Sequence, residues 1–299
     1  MWTLPLGAIL EFPQEKLRVA SDATAGLPRL LGRYGAFEIR LVATQKEIRK
    51  AQRLRYKVFY EEGGAIAAPR AALVRRDLCR FDEICDHLIV IDTAARTSFG
   101  RSKPKIIGTC RLLRGDVAAR QGGFYSQSEF DIVPLLARHT QARFLELGRS
   151  CIHPKYRSKR AIELLWRGLW IYAKHYEIDV MIGCASLPGT NPLAHALPLS
   201  FLHHQASAEA EWQVRPHHAV PMAILDKTGV DARKGIAALP PLLKFYVRTG
   251  AKFADGAVID QKFGTIDVFT IMRVAEIEAR YIAYFGSPGE VRQSAAAAA

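Results

Sequence analysis

The chain has 299 residues, 49% of them apolar, and a formal net charge of +13 at neutral pH. That apolar share can fill a sizeable core and excludes a wholly disordered chain, whereas the charge calls for an anionic partner: nucleic acid, an anionic membrane face or an acidic protein. No apolar run approaches the roughly 18 residues of a membrane-spanning helix, and the opening MWTLPLGAILEFPQEK lacks a basic leader and is broken by proline. A secretory signal is therefore not expected. Cys79, Cys85, Cys110, Cys151 and Cys184 form no CxxC pair and lie in or beside apolar segments, as reduced, buried thiols of a cytoplasmic protein would.

In chain order, residues 1–35 mix Gly, Pro and short apolar pieces without a period and read as an N-terminal arm. Alternation predicts a strand over 37–44, and Thr44 with Glu47 makes a capping-box signature for a helix over 45–62. Residues 61–80 read as a basic loop or short helix. DHLIVID (86–92) and KIIGTCRLL (105–113) predict two strands joined by a polar loop, a hairpin. A short helix over 129–139 precedes a strand over 142–152, whose interior Gly148 is a common mark of a bulge.

Ile162, Leu165, Trp166, Leu169, Trp170 and Ala173 give the segment 161–176 one apolar helical face. The strand expected at 179–186 is apolar on both faces, hence central and parallel to its predecessor. Residues 187–238 read as a long irregular insertion. Its stretch PLAHALPLSFLHH could cover an acyl chain, rest on a membrane or pack over the sheet. A helix over 239–250, strands near 256–262 and 265–274, and a disordered tail over 286–299 complete the chain. The order predicts one α/β domain over 36–285: a mixed, mostly antiparallel sheet with one parallel βαβ crossover and helices on both faces.

Chemistry concentrates at that crossover, FLELGRSCIHPKYRSKRAIELLWRGLW (144–170), a strand–turn–helix corner of the kind that holds phosphate. From Arg149 to Arg167 it carries six Lys or Arg against one acidic residue, Glu163. A basic solvated face is the alternative. Glu146 in mid-strand needs a partner or a cleft, so it is either a base or one half of a strand-holding ion pair with Arg149. Asp82 and Asp86 are partners for a cationic substrate or merely caps. Cys151 lacks a recognisable activating histidine, and His203–His204 and His217–His218 lack metal-site spacing, so no metal is expected.

These residues resemble the GNAT acyltransferase superfamily. The pieces LRYKVFYEE, FDEICDHLIVID, IIGTCRLL and FLELGRSCIHPKYR look like the ornithine–acyl carrier protein N-acyltransferases, and are similar to acyl-homoserine-lactone synthases. The resemblance implies transfer of a 3-hydroxyacyl group from acyl carrier protein to an amine of ornithine, giving lyso-ornithine lipid, with no cofactor beyond the carrier's phosphopantetheine arm. It implies a cytoplasmic enzyme, peripheral on the inner membrane through an anionic surface, with no nucleic-acid partner. Glu146, Gly148 and Arg149 would be catalytic. Arg157, Lys159, Arg160, Ser150 and Ile152 would bind the donor, and Asp82, Asp86, Arg53 and Arg111 the acceptor. One departure matters: Arg157-Ser158-Lys159-Arg160-Ala161-Ile162 lacks the turn glycines that cradle the pyrophosphate of coenzyme A. A single phosphodiester suits it better. A coenzyme A-dependent N-acetyltransferase, an acyl-homoserine-lactone synthase and a non-catalytic basic binding protein stand as rivals.

Overall fold

The computed structural model describes residues 26–277 and 280–281; the arm up to residue 25 and the tail expected over 286–299 lie outside the described residues. Residues 32–34, in the stretch read as an arm, form an edge strand, β1 (Gly32–Tyr34), paired with β2 (Phe37–Leu41). The helix α1 (Gln45–Tyr56) starts where expected: the Glu47 N–H donates to Thr44 Oγ1 at 3.3 Å. The reciprocal bond reaches one residue further back than a standard box, with Glu47 Oε2 accepting from the Ala43 N–H at 2.8 Å.

The last part of the predicted helix is wound differently. Lys57–Glu62 form a π-helical turn, closed by the Gly63 N–H on the Val58 carbonyl at 3.0 Å. After α2 (Pro69–Val74) come β3 (Asp86–Asp92) and β4 (Lys105–Arg114), the predicted hairpin. Short elements follow: α3 (Gly115–Arg120), β5 (Phe130–Asp131) and α4 (Val133–Arg138). The crossover unit is β6 (Phe144–Ile152), α5 (Lys159–His175) and β7 (Val180–Pro188).

The region 187–238 is more regular than its sequence suggests. It contains α6 (Ala196–Gln205), β8 (Arg215–Pro216), which pairs with β5, and α7 (Ala232–Ala238). Of the three roles open to PLAHALPLSFLHH, packing is the one observed: Leu199, Phe201 and Leu202 are buried in the main core. Next come α8 (Pro241–Arg248), β9 (Lys252–Asp260) and β10 (Thr265–Arg273).

Eight strands form one sheet in the order β1-β2-β3-β4-β6-β7-β10-β9, antiparallel throughout except for the β6–β7 pair. Strand alternation assigns the two faces. Leu88 and Val90 of β3 join the α5 core, whereas Ile89 and Ile91 pack with Ile48, Ala51 and Leu54 of α1. This is the GNAT-like arrangement, with helices on both faces and the single parallel crossover at its centre.

Candidate active site

The parallel pairing of β6 with β7 is short, running only from Phe144–Val180 to Glu146–Ile182. There the backbones touch: a Cβ on Gly183 would stand 2.5 Å from the Leu147 carbonyl oxygen, so no side chain fits where the strands begin to part. Beyond that point a cavity of about 300 Å³ opens, lined by Glu146, Leu147, Gly148, Arg149 and Ser150 on β6 and by Cys184 and Ser186 on β7. Phe59 from the π turn and Phe263 from the β9–β10 hairpin cover it, their rings edge to face at 6.0 Å.

A bulge in β6 shapes the floor. Against β4, Arg111 pairs with Gly148 and Thr109 with Cys151, so Arg149 and Ser150 together oppose a single residue. The unusual backbone angle falls on Arg149, with φ of 52°, and Gly148 keeps a negative φ. A non-glycine residue in the left-handed region costs about 1–2 kcal/mol, and such strain concentrates at functional sites. Gly148 therefore flanks the bulge, with the Arg111 guanidinium 3.5 Å from where its Cβ would be.

Glu146 and Arg149 do not pair with one another, which removes the strand-holding ion pair. Glu146 is buried, and accepts from the backbone N–H groups of Tyr125 and Ser126, both at 2.8 Å, and from Ser126 Oγ at 2.5 Å. Three of a carboxylate's roughly four lone-pair positions are thus filled. Burial pushes its pKa up, against the opposing pull of those donors. Arg149 donates through Nε to Asp77 at 3.2 Å and through Nη2 to the Tyr125 hydroxyl at 3.2 Å, and lies 4.4 Å over the Phe263 ring.

Behind Arg149 lies a buried ionic network that sequence did not reveal. Arg55 of α1 is fully buried, with Nε on Asp77 at 2.8 Å and Nη2 on Asp82 at 2.6 Å. Gln52 donates to Asp82 at 3.0 Å, Tyr60 to Asp77 at 2.9 Å, and Arg111 reaches Asp82 at 3.5 Å. Both carboxylates are held below the ordinary range by these cations although burial opposes it, and burial pushes His87 down to about 4.

The four acceptor residues expected from sequence are accordingly not brought to the cavity. Asp82 and Arg111 belong to the network, Asp86 is buried and accepts from the Tyr172 hydroxyl at 2.6 Å, and Arg53 is exposed on α1. Asp82 is engaged by Arg55 and Arg111, Asp86 by Tyr172 and Arg114, and neither lines the cavity. In their place the far wall of the cavity carries Asp260 and Asp267, with Glu129 grouped against them: one oxygen from each lies within 4.8 Å of the others.

Glu129 is pushed up to about 7, by burial first and then by Asp267 and Asp260. Its protonated form therefore favours the fold below its ordinary value of 4.5, and that contribution is lost as pH rises through about 7. Glu129→Gln is expected to stabilise the unliganded protein by on the order of 2 kcal/mol at pH 8 and by much less at pH 5. Urea unfolding at both pH values checks this; an equal shift at both would refute it.

A second cavity, of about 430 Å³, shares Val58, Phe59, Leu147, Ser150, Leu242 and Tyr246 with the first. Its walls are mostly apolar, from Ile152 of β6, Trp166 and Leu169 of α5, and Phe245 of α8, and Arg157 and Ile162 also line it. Ser150 Oγ donates to Cys110 Sγ at 2.9 Å. A shallower groove continues outward past Ile162, Pro241 and Phe245, edged by Lys159, Lys244 and Arg248. Ser158 caps α5, accepting from the Ala161 N–H at 3.4 Å. Arg157 is engaged by Glu62 (Nη2 to Oε2, 2.8 Å), Lys159 leans on Glu163 at 3.5 Å, and Arg160 lies 4.8 Å over the Tyr34 ring. The corner thus faces a cleft, with Lys159 exposed at its edge.

Burial pushes the Cys151 thiol up to about 12, unsuited to nucleophilic attack at neutral pH. His203 bonds Asp255 at 2.8 Å, and His204 and His217 bond backbone carbonyls, so neither pair forms a ligand cluster.

Residues 54–167 match the acetyltransferase (GNAT) domain family. The chain is 49% identical over 260 residues to the L-ornithine N(alpha)-acyltransferase of Rhizobium meliloti (strain 1021), covering 86% of this chain and 87% of that protein. It is 48% identical over 263 residues to the enzyme of the same name from Agrobacterium fabrum (strain C58 / ATCC 33970), covering 87% and 89%. Among solved structures it is similar to FeeM, an N-acyl amino acid synthase from uncultured soil microbes, with 12% identity, a TM-score of 0.46, and 81% and 93% of the two chains covered.

Proposed function

The chain belongs to the L-ornithine N(alpha)-acyltransferase family, and from that premise we propose that it acylates the α-amine of ornithine with a 3-hydroxyacyl group carried by acyl carrier protein, giving lyso-ornithine lipid. The observation that carries this reading is the meeting of two unlike cavities at the β6 bulge. One is the more polar and holds a carboxylate and a guanidinium; the other is largely apolar and lengthens into a groove edged by Lys159, Lys244 and Arg248. An acyl chain suits the second, and its thioester would stand where the two join.

Arg149 uses two of its N–H donors internally, which leaves others for the acceptor carboxylate. The α-amine, once neutral, attacks the thioester carbon. The C–N bond forms, the C–S bond breaks, and the amine's surplus proton passes to Glu146 and on to the leaving sulfur. Glu146 ends as it began. Its raised pKa makes it a better proton acceptor than an exposed glutamate. Backbone N–H groups of Arg149 and Ser150, the two residues that oppose one in the bulge, are the donors proposed for the oxyanion.

The phosphodiester of phosphopantetheine would bind the α5 N-terminus with Lys159, Arg160 and Arg157, the last after exchanging Glu62 for phosphate. Acidic acyl carrier protein would complement the +13 charge. No cofactor beyond its arm is invoked. Among the described residues no helix is long and apolar enough to cross a membrane, and contact with an anionic membrane surface is proposed through the same cationic excess.

The test is purified protein with acyl carrier protein thioesters, acyl-coenzyme A and a panel of amino acids, read by mass spectrometry. N-acyl ornithine from carrier-protein thioesters is expected. Product from coenzyme A thioesters alone would overturn the donor, and no acylated product from any pair would favour a binding protein.

A further inference from the structure

We infer that Glu129, Asp260 and Asp267 form the seat of the acceptor's second ammonium group, and thereby select a dibasic amino acid over a neutral one. This assignment holds only if the acyltransferase reading above holds.

Asp260 and Asp267 line the same cavity as Glu146 and Arg149, so whatever amine reaches the thioester lies under their field. The sheet sets the distance. Glu146 on β6 pairs with Ile182 of β7, and Asp267 on β10 pairs with Ser186 of β7, so two strand spacings across and four residues along separate the two backbones by about 16 Å. An ornithine side chain spans about 5 Å from α-carbon to terminal nitrogen, four staggered bonds of about 1.5 Å. With its α-amine beside Glu146, the remainder is bridged by the carboxylate side chains reaching in from each side.

The trio is also incomplete without a cation. Glu129 is bonded by the Cys184 thiol, but its Oε2, sealed from solvent, has no hydrogen-bond partner among the described residues; Asp267 receives the hydroxyls of Ser186 and, at 2.8 Å, Thr265. Three carboxylates within 4.8 Å repel one another, and the Arg149 guanidinium that offsets them is held by Asp77 and Tyr125. An ammonium group, with three donors for three acceptors, would answer both the charge and the unmet oxygen. A divalent metal is the competing occupant.

The experiment compares ornithine with norvaline, which has the same carbon skeleton and no terminal ammonium, as acceptors for wild type and the Glu129→Gln/Asp267→Asn variant. A site built around a polar group discriminates strongly against the analogue lacking it, so the wild-type ratio of kcat/KM should exceed the variant's by about 100-fold, through KM for ornithine. Because the ratio is internal to each protein, partial loss of folded variant does not disturb it. A variant ratio within about twofold of wild type overturns the assignment and leaves the acyltransferase reading standing. Loss of wild-type activity in EDTA, restored by magnesium or calcium, overturns it in favour of a metal. Wild type that acylates neither amino acid overturns both.

Discussion

Glu146→Gln is expected to keep the fold and to lower kcat by about 100- to 10,000-fold, the usual contribution of a positioned general base. The side chain receives three donors from Tyr125 and Ser126, and a glutamine carbonyl can still accept two of them. Its NH₂ group must then face the third, at a stability cost of about 1–3 kcal/mol. The protein should therefore unfold cooperatively at a slightly lower temperature and turn over very slowly. KM for the donor should hardly move, since the apolar cavity is untouched. Full turnover in a folded Glu146→Gln protein would remove Glu146 from the chemistry.

Arg55→Met is expected to be the most destabilising substitution at the site, by about 3–5 kcal/mol, because it strands two buried carboxylates that the arginine now joins. For a chain of this size that is about 10 °C in Tm. Asp77 and Asp82 both have lowered pKa values, so their stabilising contribution is present above the ordinary value of 3.8 and is lost as pH falls through the folded-state values. Removing Arg55 lifts those values, and acid unfolding should begin at higher pH. Adding Asp82→Asn should recover part of the loss. An Arg55→Met protein as stable as wild type, with an unchanged acid transition, would show that the network holds nothing in place. Activity should fall as well, since Asp77 also fixes the Nε of Arg149.

The fold was largely legible because its signals are local. The period-2 run over 86–92 and the apolar stripe over 161–176 specify a strand and a helix without reference to anything distant. The insertion misled because α6 is apolar around much of its girth, as buried helices are, and so shows no stripe.

At the site the limit was different. Glu146, Arg149 and the basic corner could be found because they share one strand–turn–helix segment. Even so, a regular strand would put residues 146 and 149 on opposite faces, and only the additional bulge residue brings both to one cavity. Asp82 and Asp86 looked available because a sequence does not display the partner that neutralises a carboxylate; for Asp82 that partner lies 27 positions earlier. Asp260 and Asp267 share the β9–β10 hairpin, but Glu129 comes from a distant segment, and no spacing joins it to them. Asp77 was the one acid between Glu62 and Asp82, directly after Arg75 and Arg76, a weak signal missed.

The π turn at Lys57–Glu62 has a consequence for how such a site could be altered. It holds one residue more per turn than the α geometry preceding it, so a single deletion there could be absorbed by ordinary helix, with every intrahelical hydrogen bond still made. The same deletion would swing the residues beyond it by about 100°, carrying away Glu62, which now occupies Arg157, and redirecting the Phe59 ring that helps to roof the reaction chamber. Chain length, changed by a single codon, is thus a dial on who enters, and it can be turned without touching any group that does chemistry.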